Sequence, residues 1–238
     1  MIAKNGNLRA NLKLALILTI FLLPALACDN ARPSIASVDI TSANLVGSDF
    51  RLVDLTGANL SYKELQGSDF TYAILQNVDF SHSNLSGAIF DYADLRGAIF
   101  TDAILDEKWS RIIDLLSTSN GADNDYTGYD MSKTFLFDAN LLNANLQAVD
   151  LSDANLSHAD LSGANLMGAN LQNTNLSGAI LREANLIDAF LGGAKLGETD
   201  LFRATITEAQ LNQANISCTL MPDGTIYNQT EFCAPPNP

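Results

Sequence analysis

The sequence is poor in the side chains that most often carry out chemistry. It has two histidines and three cysteines in 238 residues. The histidines, His82 and His158, lie far apart along the chain, and the cysteines lack a zinc-binding spacing. A phosphate-binding glycine-rich loop, a nucleophile elbow and an HExxH motif are also missing. We therefore predict no catalytic residue, no metal and no cofactor, and a protein that is not an enzyme.

Basic residues are scarce as well. The chain has 13 Lys and Arg residues against 27 Asp and Glu residues, a formal charge of −14. Three of the basic residues lie within residues 1–27, so the rest of the chain carries −17. Such an acidic surface repels nucleic-acid phosphates and anionic lipids. We predict no nucleic-acid binding, while basic protein partners stay open.

The chain has one marked apolar run, residues 14–23, which is too short to cross a bilayer comfortably. It follows a positively charged segment and precedes a small-residue cleavage site ending at Ala27, so residues 1–27 are predicted to be a secretory signal peptide. Cys28 comes next and resembles the lipidated cysteine of bacterial lipoproteins. Two outcomes stay open: a lipid anchor at Cys28, which would be the sole membrane contact, or a freely soluble exported protein. The polar residues 28–37 are predicted to form a tether.

A repeat of five residues dominates the rest of the chain. A large apolar residue returns at every fifth position through residues 40–105 and, one step out of register, through residues 126–221. A small residue, usually alanine, precedes it by two, and Asn or Asp usually stands between them, as in NLLNANLQAVDLSDANLSHADLSGANLMGANLQNTN (140–175). A period of five suits neither a helix nor a flat strand. The chain must therefore turn at every repeat.

This pattern resembles the A-(D/N)-L-x-x motif of the pentapeptide-repeat family. The resemblance implies an all-β fold, a right-handed quadrilateral β-helix with four pentapeptides per coil, formed by residues 38–105 and 124–221. Residues twenty apart then stack. Stacking predicts two aromatic columns and one surface amide ladder: Phe50, Phe70 and Phe90; Phe80 and Phe100; Asn145, Asn165 and Asn185.

The repeat is interrupted over residues 106–123, where the period becomes helical. Four apolar residues there are spaced i, i+3, i+4 and i+7: Trp109, Ile112, Ile113 and Leu116. We predict one α-helical insertion that packs this stripe on the coils, and the alternative left open is that the four residues form a partner-binding surface. Asn124 and Tyr129 then occupy small inward positions and predict an irregular first coil.

Residues 222–238 break the repeat with a Pro-Asp-Gly turn and a proline-rich end. An open β-helix exposes a strand edge, so we predict that this segment caps the last coil. Cys218 and Cys233 can pair in an oxidising compartment and hold the cap in place.

The layout also resembles that of exported pentapeptide-repeat proteins of cyanobacteria and thylakoid lumens, several of which share a repeat–helix–repeat order with an Asp-Glu-Lys-Trp start, as at residues 106–109. This resemblance implies an exported, non-enzymatic scaffold in a periplasm or thylakoid lumen that binds a still unknown protein partner. One alternative is an acidic rod that imitates DNA and binds a type II topoisomerase such as gyrase, as cytoplasmic family members do. A second is an enzyme with a cleft beside the Trp109 helix.

Overall fold

The computed structural model describes residues 44–117 and 124–227. The chain divides into two compact units, with the boundary between Asp106 and Glu107. Their described parts are called the N-terminal unit (residues 44–106) and the C-terminal unit (residues from 107 onward) below. The predicted signal peptide and tether lie outside the described residues, as do Cys28 and Cys233.

Each unit consists of coils joined by short parallel bridges between residues twenty apart. In the N-terminal unit Asp49 bridges Asp69, and in the C-terminal unit Asn145 bridges Asn165, which in turn bridges Asn185. Each bridge pairs a single residue of one coil with a single residue of the next, because the chain turns again within five residues. Four pentapeptides therefore complete one coil, as the sequence pattern predicts.

The turns explain the small and polar residues of the motif. The carbonyl of Leu55 accepts a hydrogen bond of 2.9 Å from the N–H of Ala58, and Gly57 between them has φ +69°. These values define a type II turn, which requires a positive φ at its third residue. Asn77 and Asp102 hold the same position with φ +56° and +54°. Asn and Asp tolerate this conformation better than other side chains do.

The core of the N-terminal unit contains both predicted phenylalanine columns. Ring centroids are 4.9 Å apart between Phe50 and Phe70, 5.1 Å between Phe70 and Phe90, and 5.0 Å between Phe80 and Phe100. The two columns meet edge to face, with Phe70 and Phe80 5.7 Å apart at 82°. Both predicted columns are confirmed.

The core of the C-terminal unit consists mainly of leucine. Every fifth residue from Leu136 to Leu201 is a fully buried leucine. Burying such a side chain contributes roughly 1.5–3 kcal/mol. Threonine replaces the small inward alanine at several positions. The Thr174 hydroxyl donates to the Leu151 carbonyl of the preceding coil at 2.7 Å, whereas the Thr134 hydroxyl donates to the Met131 carbonyl of its own turn at 2.6 Å. The buried polar group is thus satisfied.

Helix α1, Glu107–Ser117, opens the C-terminal unit. The first coil described after it is regular, because Asp125 bridges Asn145 and the coil continues in step. The predicted irregularity at Asn124 and Tyr129 is therefore wrong. Tyr129 fits because its side chain is half-buried and its ring lies under the Arg111 guanidinium, 4.0 Å from it.

The repeat is replaced locally near the C-terminal end. The apolar spacing predicts unbroken coils to residue 221, but helix α2, Glu208–Leu211, interrupts them. Thr207 is its N-cap and forms a capping box with Gln210. This arrangement satisfies N–H groups that a free helix end would leave without partners.

A short hairpin follows α2. Strand β1, Thr219–Leu220, pairs with strand β2, Ile226–Tyr227, in antiparallel fashion. Leu220 also bridges Asp200 of the preceding coil. The hairpin therefore covers one strand edge of the last coil.

Candidate functional site

Many outward Asp and Asn side chains bind the backbone of their own repeat. The Asp54 Oδ1 accepts hydrogen bonds from the N–H and the hydroxyl of Thr56, at 2.9 and 2.6 Å. Asn59 receives the same pair from Ser61, at 2.9 and 2.7 Å. The N–H after the central residue is thereby satisfied by a side chain. The motif favours Asn or Asp at this position because the N–H two residues later needs a nearby acceptor.

These bonds also set the ionisation of the carboxylates. Hydrogen bonds from the hydroxyl and N–H of Ser81 hold the pKa of Asp79 below its ordinary value. For Asp94, burial is the largest influence and raises the pKa, but hydrogen bonds from Arg96 and Gln76 outweigh it and lower the pKa overall. A general acid working at neutral pH needs a raised pKa. These carboxylates therefore suit structure better than proton transfer.

A groove of about 470 Å³ lies beside α1 in the C-terminal unit. Lys108 connects its two walls, since the Lys108 Nζ donates to the Ser132 carbonyl at 3.0 Å and lies 3.2 Å from the Asp130 Oδ2. Burial is the largest influence on the Asp130 carboxyl, yet the hydrogen bonds from Ser132 and the charge of Lys108 lower its pKa overall. An ion pair therefore joins the two walls of the groove.

The remaining polar groups of the groove also pair with one another. The Arg111 Nη2 lies 2.7 Å from the Glu107 Oε1, and the Arg111 guanidinium lies over the ring of Tyr129. Among the described residues that line the groove, none is a histidine or a cysteine. The cleft considered for an enzyme exists. The hydroxyl of Thr127 in its lining donates to the Asp125 Oδ1 at 2.6 Å, but the same oxygen accepts from the Thr127 N–H, so this contact is the turn bond of the repeat.

The apolar stripe of α1 is mostly buried. Trp109, Ile112 and Ile113 are 6%, 2% and 9% exposed, and Leu116 is half-buried. Leu115, which the helical spacing leaves out, is buried as well. The four candidate partner residues therefore do not form an exposed surface in this structure.

Two corners of the N-terminal unit carry stacked aromatic side chains. The rings of Tyr72 and Tyr92 are 4.5 Å apart at 5°, and Leu52 holds the same corner one coil earlier. Tyr72 is 45% exposed and Leu52 is 54% exposed. We call these three residues the tyrosine corner. Aromatic rings in such positions are typical of interaction surfaces.

The second corner combines an aromatic pair with a charge. The ring of Tyr62, 73% exposed, stacks on His82 at 4.6 Å, and the His82 Nδ1 lies 3.5 Å from the Asp102 Oδ2. Sequence analysis missed both corners, although Tyr72 and Tyr92 share the twenty-residue spacing of the buried phenylalanines. Their turn position two residues after the central one marks them as exposed.

The C-terminal unit has the predicted amide ladder. The Asn165 Nδ2 donates to the Asn145 Oδ1 at 3.1 Å, and the Asn185 Nδ2 donates to the Asn165 Oδ1 at 3.1 Å. The Asn145 Nδ2 continues the ladder to the Asp125 Oδ1 at 3.0 Å. This prediction is confirmed, and the ladder fills one face with mutually satisfied amides.

The other candidate residues are dispersed. His158 lies against Phe137, with centroids 5.4 Å apart. Cys218 is disulfide-bonded, but its predicted partner Cys233 lies outside the described residues, so the pairing stays a prediction. The lipidation candidate Cys28 also lies outside them.

The described residues form neither a metal-binding cluster nor a membrane-spanning helix. Within residues 44–117 and 124–227, no three His, Cys, Asp or Glu side chains are placed to hold a metal ion. In the same ranges, the helices are too short or too polar to traverse a bilayer.

Single-residue bridges twenty residues apart, with a turn in every pentapeptide, define the class of this fold as a four-sided β-solenoid. The family model described as pentapeptide repeats matches in eight copies, over ranges that cover more than half of the chain: residues 36–62, 64–102, 144–182 and 179–217. The chain belongs to the pentapeptide-repeat family, whose members fold as right-handed quadrilateral β-helices.

Several solved structures are similar to this chain. HetL, a pentapeptide repeat protein involved in heterocyst differentiation regulation from the cyanobacterium Nostoc, is 29% identical over 77% of this chain and 93% of HetL, with a TM-score of 0.25. A pentapeptide repeat protein from the Arabidopsis thaliana thylakoid lumen is 21% identical, over 70% of this chain and 73% of that one, with a TM-score of 0.23.

A trypsin-treated variant of QnrB1, a plasmid-mediated fluoroquinolone resistance protein, is 17% identical over 74% of this chain and 73% of its own, with a TM-score of 0.40. No curated protein sequence matches the chain. TM-scores at this level carry no functional argument.

Proposed function

We propose that the protein is an exported, non-enzymatic scaffold that binds another protein through the outer surface of its coils. The proposal is supported mainly by the contacts that the outward polar side chains make. Outward carboxylates and amides such as Asp54 and Asn59 hold the turns of their own repeats. The coils present a regular set of outward side chains on a fixed backbone. Such a surface suits the recognition of another protein.

The case against catalysis has two parts. The carboxyl groups of Asp79, Asp94 and Asp130 have lowered pKa values, which disfavours them as proton donors near neutral pH. The groove beside α1 is lined by one ion pair between its walls, Lys108 with Asp130, and by one within α1, Arg111 with Glu107. An enzyme acting in this groove is the least favoured alternative, and turnover of a substrate by the pure protein would support it.

The place of action follows from the N-terminal sequence. A signal peptide over residues 1–27 directs the chain to a periplasm or thylakoid lumen. Cys28 then becomes the first residue, either carrying lipid or free. The mass of the N-terminal peptide from the exported protein distinguishes the two, because a diacylglyceryl group adds a large, defined mass.

A second candidate function is supported by the charge of −14. An acidic rod can imitate duplex DNA and occupy the DNA site of a type II topoisomerase such as gyrase. The signal peptide argues against it, since gyrase is a cytoplasmic enzyme. Inhibition of DNA supercoiling by the purified mature chain would favour this alternative over the exported scaffold.

The main test is capture followed by reconstitution. The mature chain is used to capture proteins from an extract of the exported compartment, and each candidate is then purified and titrated calorimetrically. We expect one protein that binds at a fixed stoichiometry without chemical turnover. If purified candidates fail to bind, or the chain is found only in the cytoplasm, the proposal is wrong.

A further inference from the structure

We propose that the tyrosine corner of the N-terminal unit (Leu52, Tyr72 and Tyr92) binds a basic, arginine- or lysine-containing segment of the partner protein. This inference rests on the proposed scaffold function and specifies its partner.

The three corner residues share an unusual backbone conformation. Leu52, Tyr72 and Tyr92 have φ values of +63°, +60° and +59°. This left-handed region is unfavourable for bulky side chains. Elsewhere in the unit the same turn position is held by glycine, as at Gly57 and Gly97, by asparagine or aspartate, and by Tyr62 and His82 of the second aromatic corner. The corner therefore uses tyrosine where stability alone favours a smaller residue.

The corner presents a partly exposed and rigid apolar surface. Tyr72 and Leu52 are about half exposed, and Tyr92, stacked on Tyr72, is half-buried. Stacking fixes both rings, so little side-chain entropy remains to be lost on binding. Rigid tyrosines that combine an apolar ring with a hydroxyl are favoured at binding surfaces for this reason.

The charge of the N-terminal unit determines which kind of partner suits the corner. The N-terminal unit has nine acidic residues and three Lys or Arg residues, a formal charge of −6. Asp54 and Asp91 flank the corner in sequence. Both arginines of the unit are already engaged, since Arg51 and Arg96 make paired hydrogen bonds to carboxylates two residues before them, at 2.6–2.9 Å. A partner with complementary charge must therefore be basic.

The C-terminal unit contains an internal example of the same chemistry. There the Arg111 guanidinium lies 4.0 Å from the centroid of Tyr129 while it pairs with Glu107 at 2.7 Å. An arginine can thus contact a tyrosine ring and a carboxylate of this protein together. Long basic side chains lay their apolar stems on such rings and keep their charge near the carboxylates.

The test uses the full mature chain and a fluorescein-labelled octapeptide of alternating arginine and glycine. A matched peptide has citrulline, which is uncharged but similar in shape, in place of arginine. Binding is followed by fluorescence anisotropy at low and at physiological salt. We expect the arginine peptide to bind at least about tenfold more tightly than the citrulline peptide.

The decisive variant is the double substitution Tyr72→Gly/Tyr92→Gly. It removes both rings without changing the charge, and glycine suits the positive φ, so the coil should persist. Asn77→Gly is the control, because Asn77 holds the same turn position at the neighbouring corner without an aromatic ring. Circular dichroism verifies that both variants are folded.

We expect the double variant to lose about tenfold in affinity for the arginine peptide and Asn77→Gly to stay within about twofold. Equal affinity of the double variant, or equal binding of the citrulline peptide, overturns the inference. Stronger corner-dependent binding of anionic vesicles or duplex DNA overturns it as well. If the double variant still binds the captured partner normally, the corner inference fails while the scaffold function stands. If no partner binds at all, the scaffold function fails instead.

Discussion

The N-terminal unit sets two columns of phenylalanine among its leucines, whereas the C-terminal unit stacks leucine on leucine from Leu136 to Leu201. Both cores are enclosed by coils of the same length, joined by the same single-residue bridges. The backbone therefore specifies that an inward residue is large and apolar, but not which one it is. Both interiors are close-packed, so the side-chain volumes within each column must together fill the space inside the coils.

The outer surfaces of the two units differ more. The C-terminal unit covers one face with a hydrogen-bonded ladder of Asn145, Asn165 and Asn185. Both units leave apolar side chains exposed at the Asn/Asp position of the repeat, at Ile89 and Ile99 in the N-terminal unit and at Ile180 and Phe190 in the C-terminal unit. The described part of the N-terminal unit also carries tyrosines at its corners. Amide ladders satisfy one another along the solenoid, whereas exposed tyrosine and isoleucine leave apolar surface in water. The stacked tyrosines therefore distinguish the described surface of the N-terminal unit from that of the C-terminal unit.

The largest effect is expected from emptying the phenylalanine core. Phe70 lies between Phe50 and Phe90 and meets Phe80 edge-on, so Phe70→Ala should lower the free energy of unfolding by about 4 kcal/mol. Hydrogen exchange measured by mass spectrometry can report this for each unit separately. Phe70→Leu converts the site to the chemistry of the C-terminal unit and should cost only about 1 kcal/mol. Equal losses for the two variants would show that the cores are not interchangeable.

The next effect concerns the end of the C-terminal unit. The buried Gln210 Nε2 donates to the carbonyls of Leu186 and Ala189, at 2.6 and 3.0 Å. Gln210→Ala leaves both acceptors without this donor and should cost about 2 kcal/mol in urea unfolding. Gln213→Ala is the control, since Gln213 makes one exposed hydrogen bond of 3.3 Å, and it should cost less than about 0.5 kcal/mol. Similar effects of both changes would refute the capping role of Gln210.

A smaller effect is expected from exchanging the surface chemistry of the two units. Asn165→Ile breaks the amide ladder on both sides and should destabilise the C-terminal unit by about 1 kcal/mol. The reciprocal change Ile89→Asn gives Asp69, its bridge partner, an amide neighbour and should stabilise the N-terminal unit slightly. Thermal unfolding of the two variants should therefore shift in opposite directions. Shifts of the same sign would mean that the ladder contributes no stability.

The smallest effect is a dependence on pH. The pKa of Asp79 is lowered in the folded protein, chiefly by the hydroxyl of Ser81. The unfolded chain therefore takes up this proton first as pH falls, so the stability from Asp79 is complete above about pH 5 and is lost as pH falls below about 4.

Replacing Asp79 by asparagine tests this contribution to stability directly, because Asn59 in the same column makes the same bonds to Ser61. Asp79→Asn should leave unfolding at neutral pH nearly unchanged and reduce the loss of stability between about pH 5 and about pH 3. Urea midpoints measured across this range can detect the difference. An identical acid profile in the variant would exclude Asp79 as a contributor.

Much of the fold could be predicted from the sequence because every repeat obeys one geometry. The fivefold spacing fixes which residues point inward, and the twentyfold stacking places Phe70 over Phe50 and Asn165 over Asn145. Helix α2 could not be predicted, because Leu211 keeps the apolar spacing in the helix as it would in a coil. The choice depends on the capping box between Thr207 and Gln210, a local preference that the periodic signal conceals.

The candidate surfaces were harder to predict. Exposed positions are not constrained by periodicity, so nothing in the fivefold pattern distinguishes Tyr72 from a turn asparagine. The groove beside α1 depends on Lys108 and Arg111 reaching Asp130 and Tyr129, which lie about twenty residues away along the chain. Such contacts follow from how the helix packs. The burial of Trp109, by contrast, agrees with the packing that the helical spacing of its apolar stripe predicts.

The most direct test of the account is whether residues twenty apart are neighbours. Asn155 and Asn175 are bridge partners, whereas Asn155 and Asn165 lie half a coil apart. The pair Asn155→Cys/Asn175→Cys should be joined rapidly by a short bifunctional maleimide, and Asn155→Cys/Asn165→Cys should not be joined within one molecule. Rapid crosslinking of the ten-residue pair, or none of the twenty-residue pair, would contradict the four-sided coil.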